Sequence, residues 1–259
     1  MRFDPGLDVT PTATPFGFRY GSGVFGPEPE HRRLDAIRAS LRDPGCSGPD
    51  PVYAIAMHVG RDEHRAGLEA RSLLFGVVTY AAGRLGDEPV RSQGHVHRVA
   101  PHSGWRPPEI YEIWTGRAVV LMQERAADDP GRCYAIEGAG GDVIVVPPGW
   151  AHATISADPR EPLTFGAWCD QQYGFEYEEV RARGGLAYFA VLGEDDELEW
   201  RPNPAYRVTG LAVRPPRAYD DLGLRQGVPI YAQYAADPAS VHWVSEPGRL
   251  RDAWHSFEP

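Results

Sequence analysis

Lysine is absent from this chain: all 26 basic residues among its 259 are arginine. That excludes chemistry built on a lysine amine, namely Schiff-base catalysis, a lysine-anchored pyridoxal phosphate and the lysine of a P-loop. Cysteine is scarce as well. Cys46, Cys133 and Cys169 are odd in number and widely spaced, which leaves neither a disulfide framework nor a Cys-x-x-Cys zinc site. Positive charge is also in deficit, since 36 acidic residues give a net charge of -10, and a nucleic-acid partner requires a basic footprint. An anionic small molecule would have to be held locally, by backbone N–H groups, hydroxyls or arginines. No apolar run approaches the ~20 residues that span a bilayer, and the opening MRFDPGLDVT lacks the apolar stretch of a secretion signal. A cytoplasmic protein with no membrane partner is expected.

Glycine and proline are plentiful, at 29 and 25 residues, which suits many short strands joined by turns. Apolar runs at 52–58, 72–80, 110–114, 118–123, 133–137, 143–146 and 163–168 read as strands, and the charged stretch 60–71 reads as a loop. No helical pattern interrupts them, so an all-β closed antiparallel barrel or jelly roll is favoured over an α/β fold. Upstream, residues 1–27 resemble an extended arm, and 29–42 reads as an amphipathic helix with Leu34, Ile37 and Leu41 on one face. His31 on that helix is expected in solvent. Downstream, 176–183 reads as a short helix, 186–192 and 198–201 as strands, and the tail as a helix around 246–257. The expected organisation is an arm and helix at 1–49, a barrel at 50–207, and an extension at 208–259 packing on the barrel.

Three strings carry chemistry. In GHVH, His95 and His97 are two apart, so on a strand both imidazoles project from one face and can share a metal ion. In EIYEIWTG, Glu109 and Tyr111 repeat that spacing, while Glu112 falls on the other face and is excluded as a ligand. In GDVIVVPPGWAH, a buried strand is closed by a Pro-Gly turn with His152 immediately beyond it, as a fourth ligand. Three imidazoles and a carboxylate accept Fe2+, Mn2+, Ni2+, Co2+ or Zn2+, so a divalent metal is expected whatever its identity. Residues 98–108 are long enough to form a flap over the site, and His102 on that loop is expected in solvent.

These strings match the paired motifs of the cupins: Gly-x5-Pro-x-Gly-x2-His-x3-Asn fits residues 141–156, with Ser156 in place of the asparagine. Within the cupins, GHVH, EIY and PPGWAHAT resemble the cupin-type glucose-6-phosphate isomerases of archaea and some bacteria, over about residues 50–207. The resemblance implies a cupin barrel, a double-stranded β-helix, with a few peripheral helices. It implies a divalent metal, iron first, on His95, His97, Glu109 and His152, with Glu109 and Tyr111 catalytic. It implies a sugar-phosphate pocket lined by Tyr53, Ser92, Gly94 and Tyr177. It further implies a homodimer, for which the aromatic arm around Phe16, Phe18, Tyr20 and Phe25 is the expected interface.

Four positions depart from the family pattern: Val78 stands where a threonine is expected, Gln93 for lysine, Cys169 for tyrosine and Phe175 for histidine. Those changes remove charge-assisted donors from a phosphate pocket. Either an arginine such as Arg91 replaces them, or the substrate is a different sugar. The leading expectation is metal-dependent aldose–ketose isomerisation of a sugar phosphate, glucose 6-phosphate to fructose 6-phosphate, through an enediolate. A non-haem Fe(II) oxygenase and a non-catalytic sugar-binding cupin are the rivals. The PPGWAHAT string favours the isomerase over the first, and the pairing of Glu109 with Tyr111 favours an enzyme over the second.

Overall fold

Strands Leu73–Tyr80 and Leu163–Asp170 are buried at every position, which is why they read as continuous apolar runs rather than as alternating ones. In this computed structural model, which describes residues 3–172, 174–207 and 209–259, both faces of both main sheets are covered. The larger sheet has six antiparallel strands in the spatial order Val143–Val146, Glu109–Thr115, Leu163–Asp170, Leu73–Tyr80, Tyr53–Met57 and Glu30–Arg32. The smaller has the order Ala151–Ser156, Ala118–Gln123, Cys133–Gly138 and Leu211–Arg214, the last running parallel to residues 133–136. The two sheets face each other without merging into one closed sheet, as a cupin-type jelly roll.

Side-chain alternation divides each strand between layers. Leu74, Val78, Tyr80, Tyr111, Ile113, Val120, Met122, Phe165 and Ala167 meet in the interior between the sheets. On the outer face of the six-stranded sheet, Phe75, Ile110, Trp114 and Trp168 pack against Ile230, Tyr231, Tyr234 and Trp243 of the C-terminal segment. The Trp168 ring stacks on Tyr231 with centroids 5.6 Å apart, and its Nε1 donates to the Ile230 carbonyl at 3.2 Å. Gly166 permits this layer to close, because a Cβ there would lie 2.6 Å from Phe75 and 2.7 Å from Trp114. The outer face of the smaller sheet, with Val119, Leu121, Ala135, Ala153 and Ile155, is covered by Val180, Leu186, Ala190 and Tyr206.

The N-terminal segment differs from its sequence reading. Residues 29–42 do not form an α-helix: they give the edge strand Glu30–Arg32 and two short 3-10 turns, Leu34–Ala36 and Arg38–Ser40. Leu34, Ile37 and Leu41 are nevertheless all buried, since spacings of three and four residues also bring side chains together on successive tight turns. Arg33 is extended, and the Leu34 N–H is taken by Asp50 Oδ1 at 3.1 Å, which stops a helix from starting upstream. His31 is exposed, as expected, yet its Nε2 lies 2.7 Å from the Phe16 carbonyl oxygen. The stretch 60–71 is likewise more than a loop: it holds the short strand Gly60–Arg61 and the helix Arg65–Ala70, anchored by buried Leu68. The arm is a hairpin, Val9–Ala13 with Phe16–Tyr20, and Phe18, Tyr20 and Phe25 pack on the chain's own C-terminal layer. Met1, Arg2 and Val208, the outermost residue of the arm and the first of the expected extension among them, lie outside the described residues.

Candidate metal centre and its cavity

Strand pairing places the first two histidines. Residues 90–95 run antiparallel to Ala151–Ser156: Ser92 N–H donates to the Thr154 carbonyl at 2.9 Å, and Ser156 N–H to that of Val90 at 2.8 Å. His95 and His152 exchange both backbone hydrogen bonds at 3.0 Å, so they are direct cross-strand partners with rings 4.3 Å apart. His97, two residues on, sits 5.0 Å from the His152 ring. Glu109, at the start of its strand in the opposite sheet, reaches across to complete the group, with Oε2 3.2 Å from His97 Nε2 and 3.3 Å from His152 Nε2. All four ligand atoms lie within 4.8 Å of one another.

The proton positions favour a cation. His97 Nδ1 is 2.8 Å from the Pro107 carbonyl and His152 Nδ1 is 3.1 Å from that of Trp150. A carbonyl can only accept, so those contacts assign the protons to Nδ1 and leave Nε2 lone pairs facing inward. His95 Nε2 and His97 Nε2 are buried without a hydrogen-bond partner. Burial pushes the His95 imidazole well below its usual pKa, and His152 and His97 reinforce the shift, so it is neutral as a ligand must be. Burial opposes charge on His97 too, but the Glu109 carboxylate outweighs it and raises that pKa. Burial would likewise raise Glu109, and the His152 and His97 imidazoles hold it well below the carboxylate range instead. Both shifts call for positive charge between the imidazoles and the carboxylate, supplied by a proton on His97 Nε2 or, with the Nε2 lone pairs facing inward, by a cation. Two opposite bonds of ~2.1 Å span ~4.2 Å, close to the spread of these donors, so the residues fit a divalent metal.

Two side chains brace Glu109. Tyr111 hydroxyl donates to Oε2 at 2.8 Å, and the Cys169 thiol donates to Oε1 at 3.0 Å. Burial, then the Glu109 charge, pushes both pKa values well above their usual ranges, so both stay protonated donors. Glu112 lies on the other face of the strand and accepts from Ile230 N–H at 2.8 Å and Trp114 Nε1–H at 3.0 Å.

Beside this centre a cavity of about 60 Å³ lies between the sheets. Tyr53, Ser92 and Tyr177 line it, together with His95, Glu109 and Tyr111. Gly94 turns away: it adopts φ +84°, and a Cβ would lie 3.3 Å from Val180 and Leu186. Of the four departures, Val78, Gln93 and Phe175 line the cavity and Cys169 touches Glu109. The phosphate role considered for Arg91 is overturned, because its guanidinium is consumed by Glu88 at 2.8 Å and by the carbonyls of Ser92 and Ser40. The cavity's arginine is Arg32, in the segment read as helix. His102 is exposed, as expected, although its Nε2 lies 3.2 Å from buried Asp170 and 3.0 Å from the Ser245 carbonyl. Arg106 also ties the 98–108 loop down, donating to the His97 carbonyl and to Glu176 at 2.7 Å.

Residues 35–207 match the family model for glucose-6-phosphate isomerase. The glucose-6-phosphate isomerase of Thermococcus gammatolerans is 27% identical over 159 residues, 61% of this chain and 75% of that protein. That of Pyrococcus furiosus is 26% identical over 201 residues, 74% of this chain and 97% of that protein, and that of Sinorhizobium medicae 27% over 139 residues, 54% and 59% respectively. A solved oxalate decarboxylase from Bacillus subtilis superposes with a TM-score of 0.35 at 18% identity, over 48% of this chain and 27% of that one. The family match takes in well over half of the chain and contains His95, His97, Glu109, Tyr111 and His152. The chain belongs to the glucose-6-phosphate isomerase family.

Proposed function

We propose that this protein is a metal-dependent aldose–ketose isomerase that interconverts glucose 6-phosphate and fructose 6-phosphate. The observation that supports it most is the convergence of three imidazole Nε2 atoms and the Glu109 carboxylate beside a cavity between the sheets. A divalent metal held there, iron first and manganese, nickel, cobalt or zinc as alternatives, would supply Lewis acidity toward the carbonyl and adjacent hydroxyl of an open-chain sugar, worth several kcal/mol.

The remaining work falls to the protein. Glu109, the carboxylate that lines the cavity, takes the C2 proton of the aldose. The C–H electron pair becomes the C1–C2 double bond of the enediolate while the C1=O π pair moves onto O1; the O2 proton then passes to O1, C2 becomes the carbonyl, and the C1–C2 double-bond pair takes the proton back from Glu109 at C1. Its depressed pKa makes Glu109 a weak base, so the step depends on a polarised, acidified C–H bond. Tyr111 stays protonated and holds Glu109 Oε2, which fixes the carboxylate's orientation. A homodimer in the cytoplasm is the setting expected for such an enzyme, with a small sugar phosphate as its partner.

The size of the cavity favours one second reading. About 60 Å³ is room for roughly two waters, against ~300–1,000 Å³ for ordinary ligand sites, and Phe175 stands 4.3 Å from the His95 ring. Either Phe175 swings aside for a hexose phosphate, or a smaller sugar is isomerised at the same centre. A coupled assay on Fe(II)- or Mn(II)-loaded protein tests the proposal: fructose 6-phosphate should form from glucose 6-phosphate, and His152→Ala should abolish it. Inactivity of metal-loaded wild type on this pair, with turnover of a shorter aldose, selects the second reading.

A further inference from the structure

Four buried polar nitrogens without a hydrogen-bond partner belong to residues of this cavity and its metal centre: His95 Nε2, His97 Nε2, Arg32 Nε and Gln93 Nε2. The two histidine atoms are explained by a metal. The other two are donors only, and a buried donor left unsatisfied is destabilising, so their placement points to an acceptor that arrives with a ligand. Strand alternation explains how Arg32 gets there. Glu30 and Arg32 share one face of the edge strand, and their register partners across it, Ile55 and Tyr53, both line the cavity. Arg32 Nη2 is held by Glu30 at 2.9 Å, and Glu30 is 67% exposed whereas Arg32 is 22% exposed. The guanidinium is therefore parked on a solvent-facing carboxylate with its Nε left over. Gln93, 1% exposed, gives its carbonyl oxygen to Arg181 at 2.9 Å, which leaves the amide N–H groups free of a partner.

We propose that Arg32 anchors a phosphate monoester at the end of the substrate away from the metal centre, with the Gln93 amide and the Tyr53 and Tyr177 hydroxyls beside it. Arg32 precedes the segment matched by the family model, which begins at residue 35, and sits on the edge strand that the N-terminal segment adds to the larger sheet. The inference rests on the isomerase reading for its substrate class, but binding alone can test it. A guanidinium suits the role because it presents a planar fork to phosphate oxygens and never loses its charge.

The test is calorimetric binding of 6-phosphogluconate and of gluconate to Mn(II)-loaded protein, two sugar acids that differ only in the phosphate. Wild type should prefer the phosphorylated acid by about 10- to 100-fold, the range of charge-assisted hydrogen bonds. Arg32→Gln should reduce that preference to near unity with gluconate affinity and manganese stoichiometry unchanged, and Arg32→Lys should keep part of it. Glu30→Gln, at an exposed position that leaves the interior intact, should move the other way and strengthen 6-phosphogluconate binding by roughly 2- to 5-fold as Arg32 is released. Equal affinity for both acids in wild type, no binding of either, or a preference that survives Arg32→Gln overturns the anchor. A preference that depends on Arg32 in a protein with no isomerase activity upholds the anchor and removes the isomerase reading instead.

Discussion

Replacing Glu112 with glutamine isolates a buried carboxyl that shares a strand with Glu109 but serves packing. It is 1% exposed, and burial raises its pKa from 4.5 to about 7 although the Ile230 and Trp114 N–H groups pull the other way. The unfolded chain therefore releases this proton near 4.5 and the folded chain only near 7. Between those values the folded state holds more protons, so raising the pH lowers stability; below the window the group is neutral in both states, and above it the loss is complete. Linkage over 4.5 to about 7 gives a total near 3 kcal/mol, of which about 2.5 kcal/mol falls between pH ~5 and pH ~8. Urea unfolding of wild type and Glu112→Gln across that range measures it, with each pH compared as a difference so that groups common to both proteins cancel. The wild-type stability relative to the variant should fall by about 2–3 kcal/mol from the acid to the alkaline end. Parallel pH profiles would refute the reasoning and mean that the two N–H groups hold the carboxylate ionised throughout.

Tyr111→Phe removes one hydrogen bond to the Glu109 carboxylate; kcat for the isomerisation should fall about 10- to 100-fold with KM little changed, which steady-state kinetics will show. Phe175→Ala should widen the cavity beside His95 and lower KM for a hexose phosphate several-fold, and an unchanged KM would mean the ring already clears the substrate path. Metal removal should lower stability, because ligand binding at 100 times Kd contributes about 2.7 kcal/mol, and a melting curve recorded with and without chelator should separate by several degrees.

What the sequence revealed and what it hid follow from the range of the interactions involved. The histidine pair, Glu109 with Tyr111, and the turn before His152 obey local rules, alternation on a strand and the Pro-Gly reversal, so their grouping is legible in the sequence. Glu112 was assigned to the opposite face by the same alternation, and its partners Ile230 and Trp114 are there. Arg32 was hidden because Leu34, Ile37 and Leu41 follow a spacing that an α-helix and a pair of 3-10 turns both satisfy, and only the pairing of Arg32 with Tyr53 reveals the strand. Arg91 looked available because it lies close to the ligands in sequence, yet its acceptors include Ser40, far upstream. The Cys169 thiol on Glu109 depends on register between two strands, and His102 on Asp170 depends on where a long loop lands, neither of which composition or periodicity encodes.

The proposed isomerisation at the His95, His97, Glu109 and His152 centre requires one metal ion per chain. Titrating chelated protein with Mn(II) while following conversion of glucose 6-phosphate to fructose 6-phosphate tests it most directly. The rate should rise from near zero and level off at one equivalent of metal per chain, with no rise in His152→Ala. Isomerisation at full rate before metal is added, or a rise that persists in His152→Ala, would contradict it.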